Sequence, residues 1–214
     1  MYAPSECRQL IRDESSESKT TTRGYAAVSA CLPWRADLWE ESAHEALNDK
    51  QFLAAISYLE AIRAQTVRRG IAEPLSLQGM TDLAEAYQQT GNYPAAIETH
   101  LSIADRIGLD MEQAQAISQL YLAHGDFQSA AAIWQRLSIE QPENGAVLYQ
   151  TGLLLATQHP EKALPVLENA ARLEPSLETK ATTLRQAIMG ARLVDDPAYA
   201  LLQSGRALAT IDRW

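Results

Sequence analysis

Cysteine is scarce in this sequence of 214 residues, which contains only Cys7 and Cys31. Two isolated cysteines give neither a disulfide framework nor the spacing of a zinc site. The scarcity favours a reducing compartment, and we expect a cytoplasmic protein, with an extracytoplasmic domain of a membrane-anchored protein as the alternative. No run of about 18 apolar residues occurs, so we expect no membrane insertion within this chain.

Basic residues are also few, since 18 lysines and arginines stand against 27 acidic residues and give a formal net charge of -9. Nucleic acids and anionic membranes require a basic surface, so neither is expected as a partner. Hydrophobic residues make up 46% of the chain and charged residues 21%, which is ordinary globular composition. Only 7% of the residues are aromatic. Together with the many alanines, this favours helices that approach each other closely.

The sequence also lacks the constellations that enzymes use. The four histidines share no helix face as metal ligands would, and a Gly-x-Ser-x-Gly nucleophile elbow is absent. We interpret His100 as a buried packing residue, His124 and His159 as solvated turn residues, and the adjacent acids Glu40 and Glu41 as a solvated pair. We therefore expect no enzyme, no catalytic residue, no metal and no cofactor.

A repeated pattern is what the chain does contain. From Met111 to Asn144, apolar or small residues recur at steps of three and four, a turn at His124-Gly125-Asp126 interrupts them, and a second such stretch follows. This pattern predicts a helix, a tight turn and an antiparallel helix. A shift of 34 residues superimposes the segment on its predecessor, with these matches: Tyr87 on Tyr121, Gly91 on Gly125, Asn92 on Asp126, Tyr93 on Phe127 and Ala96 on Ala130.

A helix-turn-helix period of 34 residues with small residues at the crossing points resembles the tetratricopeptide repeat (TPR). The resemblance covers residues 20–214 and implies an all-α fold, a right-handed α-solenoid of antiparallel helix pairs. The stretch Leu32–Trp39, followed by several repeats, is also similar to bacterial multi-repeat proteins of this family. That similarity implies a bacterial origin and supplies no activity.

The repeats predict the domain organisation. Residues 1–19 are polar and predict a disordered tail. The solenoid of residues 20–214 then divides into a half repeat at 20–35, repeats at 36–69, 77–110, 111–144 and 145–177, an extra helix at 180–194 and a partial repeat at 198–214. Seven extra residues around Arg69–Pro74 predict a loop or an extended helix end. The Asn48–Gln51 turn has no glycine, and we expect Asn48 to supply the left-handed backbone conformation there.

Two prolines and the end of the sequence lead to further predictions. Pro160 is expected at the first position of its helix, where no backbone N–H is needed, and Pro165 need not break that helix. The chain ends at Trp214, where a second helix would begin. We therefore expect either a fragment of a longer protein or an open end that a partner or a second copy covers.

The family resemblance implies where a partner binds. In such repeats the first helix of each pair lines the concave face, which holds extended peptides or helices. The matching positions here are Asp37, Glu40, His44, Gln78, Glu85, Gln89, Glu112, Gln115, Gln119, Tyr149, Leu153, Tyr199, Leu202 and Arg206. A subfamily that holds acidic chaperone tails uses Lys, Arg and Asn on these faces. Glu, Gln and Thr stand here instead, so the face suits a basic or neutral peptide.

We therefore expect a non-catalytic scaffold or adaptor for protein–protein interaction. One alternative is an accessory repeat domain of a larger enzyme or of a membrane-anchored assembly factor. Another is a homo-oligomer, in which the module self-associates through its incomplete last repeat.

Overall fold

The computed structural model describes residues 35–67 and 74–192, and it also shows Leu202 and Arg206 as helical. The predicted tail and almost all of the predicted half repeat lie outside the described residues, as do most of the extra residues at 69–74 and the partial last repeat. The described part of the chain is all-α. It has two compact units, which divide between Gly108 and Leu109.

The first unit contains two antiparallel helix pairs. Three residues connect the helices within each pair, and small or branched apolar side chains such as Ala43, Leu59 and Leu83 fill the core between them. The bounds are α1 (Ala36–Asn48), α2 (Phe52–Val67), α3 (Leu77–Gln89) and α4 (Tyr93–Ile107). Arg106, near the end of α4, donates a hydrogen bond of 2.8 Å to the carbonyl of Leu75. This bond fixes the segment that leads into α3 against α4.

The second unit contains two further pairs and one additional helix. The bounds are α5 (Met111–Ala123), α6 (Phe127–Glu140), α7 (Gly145–Gln158), α8 (Pro160–Leu173) and α9 (Glu178–Arg192), with a 3₁₀ turn at Pro175–Leu177. Pro160 occupies the start of α8, as expected, and α8 continues through Pro165 without a break. The core of this unit includes Leu155, Leu167 and Leu184.

Polar side chains begin several of these helices, which explains why the helices start where they do. An N-cap side chain accepts a hydrogen bond from one of the first backbone N–H groups, which have no partner inside the helix. Ser76, Asp110, Asp126 and Asn144 each do so at 2.8–3.2 Å. Periodic apolar residues and these caps together specify the helix pairs.

The turn between α1 and α2 differs from our prediction. Lys50 has a φ of 59°, in the left-handed region where Gly91 and Gly125 lie in the next two turns. Asn48 remains the last residue of α1, so the expectation that Asn48 supplies this conformation is wrong. The left-handed conformation occurs at the same position in all three turns, and in the first turn that position holds Lys50 rather than a glycine. An L-residue in this region costs about 1–2 kcal/mol.

Close packing of α7 on α8 depends on Gly152. A Cβ atom at this position would lie 2.6 Å from Cδ2 of Leu167, a side chain that is fully buried. Contacts this short do not occur between real atoms, so the two helices can approach as they do only because position 152 has no side chain.

Candidate functional site

The first helices of the first unit, α1 and α3, contact each other and present polar residues along one face. The predicted positions 37, 40 and 44 on α1, and 78, 85 and 89 on α3, follow steps of three, four and seven. Such steps place side chains on the same side of a helix. We call the exposed part of this face the first-helix surface; its members are Asp37, His44, Gln78, Glu85 and Gln89.

A hydrogen-bond network connects the two helices beneath this surface. Nδ1 of His44 lies 3.0 Å from Oδ2 of Asp82, and Nε2 of Gln78 donates to Oδ1 of Asp82 at 2.8 Å. The Asp82 side chain is 5% exposed, whereas that of His44 is 51% exposed. A buried carboxylate requires such partners. His44 and Gln78 therefore satisfy the buried carboxylate, and the contact holds the His44 ring in place.

Asp82 was absent from the predicted site, although the sequence contained a signal for it. Position 82 lies four residues after Gln78 and three before Glu85, so it continues the helical spacing of the predicted face. It also places an aspartate in mid-helix, where this residue is disfavoured unless its side chain has a specific partner. Its partner His44, 38 positions away, could not be identified without the packing of α1 on α3.

Glu40 has a packing role that its sequence position did not indicate. Its carboxylate accepts a hydrogen bond from the backbone N–H of Ser76 at 2.7 Å and another from the Ser76 hydroxyl at 2.5 Å. The side chain therefore holds the N-terminus of α3 against α1. Glu40 is partly exposed, and its contact with a partner stays a prediction.

Asp37 lies at the exposed start of α1 and is engaged with Arg35. The guanidinium donates to both carboxylate oxygens, with the closest contact at 2.5 Å. This hydrogen bond lowers the pKa of Asp37, which therefore stays ionised at neutral pH. The side chains of Arg35 and Asp37 are both largely exposed, so a partner can reach the pair.

In the second unit, α5 presents a comparable polar face. Glu112, Gln115 and Gln119 are all exposed, and their spacing of three and four puts them on one side of the helix. No basic residue lies within α5. The predicted glutamine-rich stretch is therefore accessible on this helix.

Two of the predicted partner-binding positions, on α7, are buried. Tyr149 is 3% exposed and Leu153 is 6% exposed, and both belong to the core cluster that also contains residues of α8 and α9, such as Leu167 and Leu184. The assignment of Tyr149 and Leu153 to partner binding is therefore wrong. The physical reason is that they form part of the core of the second unit, which α8 and α9 complete. Changing both residues to glutamate would disrupt this core rather than a binding surface.

The remaining predicted positions lie near the end of the chain. Leu202 and Arg206 are helical and exposed, whereas Tyr199 lies outside the described residues.

Other candidate residues have ordinary environments. Burial lowers the pKa of His100, consistent with its interpretation as a packing residue, and His124 and His159 are exposed at turns. In residues 35–67 and 74–192 no group of three His, Cys, Asp or Glu side chains is placed to hold a metal ion. No helix in the same ranges combines the length and apolar character needed to cross a membrane.

The helix pairs, their short turns and the polar first-helix faces define an all-α repeat protein of the α-solenoid class. No protein-family model matches the sequence, and no curated protein is similar to it. Solved structures are similar in fold. One is YrrB, described as a TPR protein with an unusual peptide-binding site. It has a TM-score of 0.51 and 12% identity, over 88% of this chain and 92% of that one.

Two further structures have lower scores. MamA of strain AMB-1 has a TM-score of 0.49 and 16% identity, over 85% of this chain and 100% of that one. TTC0263, described as a thermophilic TPR protein of Thermus thermophilus, has a TM-score of 0.41 and 20% identity, over 81% of this chain and 90% of that one. The comparison with YrrB shows that the chain has the tetratricopeptide-repeat fold. At this level of identity, the comparison with YrrB establishes the fold alone.

Proposed function

We propose that this protein is a non-catalytic interaction module whose first-helix surface binds a basic or neutral peptide or helix of a partner protein. The observation that carries the proposal is the His44–Asp82–Gln78 network. It joins two first helices and holds the half-exposed imidazole of His44 in place on this surface. Together with the exposed Glu85 and Gln89 side chains of the same surface, it suits donors such as backbone N–H groups and lysine or arginine side chains.

The charge of the surface supports the same class of partner. Its exposed members include Glu85 and Asp37, the latter paired with Arg35, and none of the five defining residues is a lysine or an arginine. Opposite charge steers association and suppresses partners of like charge. An acidic peptide would meet these carboxylates unfavourably, whereas a basic or neutral one would not. The peptide-binding site described for YrrB shows that this fold supports such recognition in another protein.

The pairing of His44 with Asp82 also resembles the orientation of a catalytic histidine by a carboxylate, in which the ring activates a nucleophile. Within residues 35–67 and 74–192, His44 makes no hydrogen bond to a hydroxyl or thiol that could act as this nucleophile. We therefore favour recognition over catalysis.

A peptide-display selection against the full chain tests the proposal. We expect enriched sequences to be basic or neutral, and we expect Glu85→Lys with Gln89→Lys to abolish their binding. Both positions are exposed, and lysine is a good helix former, so the fold is retained. The matched control is Ser57→Lys with Glu98→Lys, which adds the same charge at exposed positions of the second helices. Enrichment of acidic peptides, or equal loss with both pairs, would refute the proposal.

A further inference from the structure

The turn between α7 and α8 is shorter than the others. Only His159 separates these helices, whereas three residues separate the helices of each earlier pair. Beside it, in the second unit, lies an open cavity of about 440 Å³. Its lining comes from the turn between α5 and α6, the first two residues of α6 and the last two residues of α7, namely Gly125, Asp126, Phe127, Gln128, Thr157 and Gln158. We call it the turn cavity. Its volume lies within the range of about 300–1,000 Å³ that is common for ligand sites.

Phe127 forms an exposed apolar wall of the turn cavity. Its side chain is 52% exposed, whereas Phe52 and Tyr93, which begin the second helices of the first two pairs, are both partly covered. An exposed aromatic ring at the edge of a cavity offers a face on which a planar or apolar group can pack.

Polar groups at the cavity are accessible or unsatisfied. Asp126 accepts hydrogen bonds from the backbone N–H and the hydroxyl of Ser129, at 3.0 and 2.7 Å. These bonds lower the pKa of Asp126, so its carboxylate is charged at neutral pH. Nε2 of Gln158 is buried and has no hydrogen-bond partner among the described residues. A buried donor of this kind requires an acceptor.

We propose that the turn cavity binds an arginine side chain presented by a segment of a partner protein. The guanidinium packs on the face of Phe127 and donates to the Asp126 carboxylate. Arginine fits because its planar cation both stacks on rings and pairs with carboxylates. None of the six lining residues is basic, so the cation meets no like charge. This site is separate from the first-helix surface and does not depend on the function proposed for that surface.

Titration of the full chain with blocked arginine, N-acetyl-arginine-N-methylamide, followed by NMR of the backbone and side-chain amides, tests this proposal. We expect saturable shifts at Gly125, Phe127 and the Gln158 side-chain amide. The same titration with blocked citrulline, which has the shape of arginine without its charge, and with blocked leucine should give much weaker effects.

Two variants at the cavity and one control make the test specific. Asp126→Asn keeps an N-cap residue but removes the charge, and it should weaken binding about tenfold, because hydrogen bonds to an ionised group are roughly twice as strong as neutral ones. Phe127→Ala should weaken it severalfold. Tyr93→Ala, at the same repeat position of the first unit, should leave it unchanged. Absence of saturable shifts, equal affinity for blocked leucine, or binding unaffected by both cavity variants would overturn the proposal.

Discussion

The hydrogen bond between His44 and Asp82 gives the sharpest prediction for stability. Asp82 is nearly inaccessible to water and depends on two side chains, His44 and Gln78. His44 is half exposed and can exchange its protein partner for water. The two residues should therefore respond unequally to truncation, and their effects should not be additive.

The expected losses of stability follow from this difference in burial between Asp82 and His44. His44→Ala leaves the buried carboxylate with one partner fewer, which should lower the free energy of unfolding by about 1–3 kcal/mol. Asp82→Ala removes the buried charge and two hydrogen bonds, at about 0.5–1.5 kcal/mol for each bond. Once Asp82 is gone, His44 has no buried partner to lose. The double variant should therefore be about as stable as Asp82→Ala alone.

Urea denaturation followed by circular dichroism measures all four proteins of this cycle. The predicted coupling energy nearly equals the cost of His44→Ala, and it lies within the range of about 0.5–3 kcal/mol found for residues in contact. His124→Ala is a suitable control, because His124 is exposed at a turn, and its cost should stay below about 0.5 kcal/mol. Additive costs for His44 and Asp82 would refute the network described here.

Five other changes test separate parts of the structure. Lys50→Gly should raise the free energy of unfolding by about 0.5–1 kcal/mol. The free energy gained by removing a left-handed lysine exceeds the entropic cost of adding a flexible glycine to the unfolded chain. An unchanged free energy of unfolding in urea denaturation would contradict this prediction. Gly152→Ala should cost about 1–3 kcal/mol by overpacking against Leu167, whereas Gly190→Ala, with open space around its Cβ, should add about 0.5–1 kcal/mol. Burial lowers the pKa of His100 below 6.5, so as the pH falls the unfolded state binds a proton at His100 before the folded state does. The free energy of unfolding should therefore fall as the pH drops through 6.5. In thermal melts, His100→Leu should lose this dependence of stability on pH. Burial and the hydrogen bond to Glu60 raise the pKa of Tyr87 to about 12, so Tyr87→Phe should leave the tyrosinate absorbance that develops near pH 10 unchanged.

Local signals in the sequence were sufficient to predict the helix pairs. The turn at Gly125-Asp126 combines a left-handed glycine with an N-cap, and both are short-range features that the structure confirms. Where such a signal was absent, the prediction failed. Lys50 adopts the turn conformation because its neighbours impose it, and a lysine gives no indication of this in the sequence.

The candidate site was only partly predictable, because accessibility depends on which helix packs next. Tyr149 and Leu153 have the spacing of an exposed first-helix face, but both are buried in a core to which α8 and α9 contribute. The repeat period slips after Pro175, so the register of α9 could not be extrapolated from the earlier repeats. The roles of Glu40 and Asp82 likewise depend on contacts with Ser76 and His44, 36 and 38 positions away.

Photo-crosslinking tests the proposed first-helix surface most directly. A benzophenone side chain placed at Gln89 of α3, or at Ser57 of α2 as the control, would be irradiated in the presence of a selected basic peptide. Both positions are exposed, so both variants should fold. We predict a cross-link from position 89, its loss when His44 is changed to alanine, and none from position 57. Cross-linking from position 57 alone, or equally from both positions, would contradict binding on the first-helix surface.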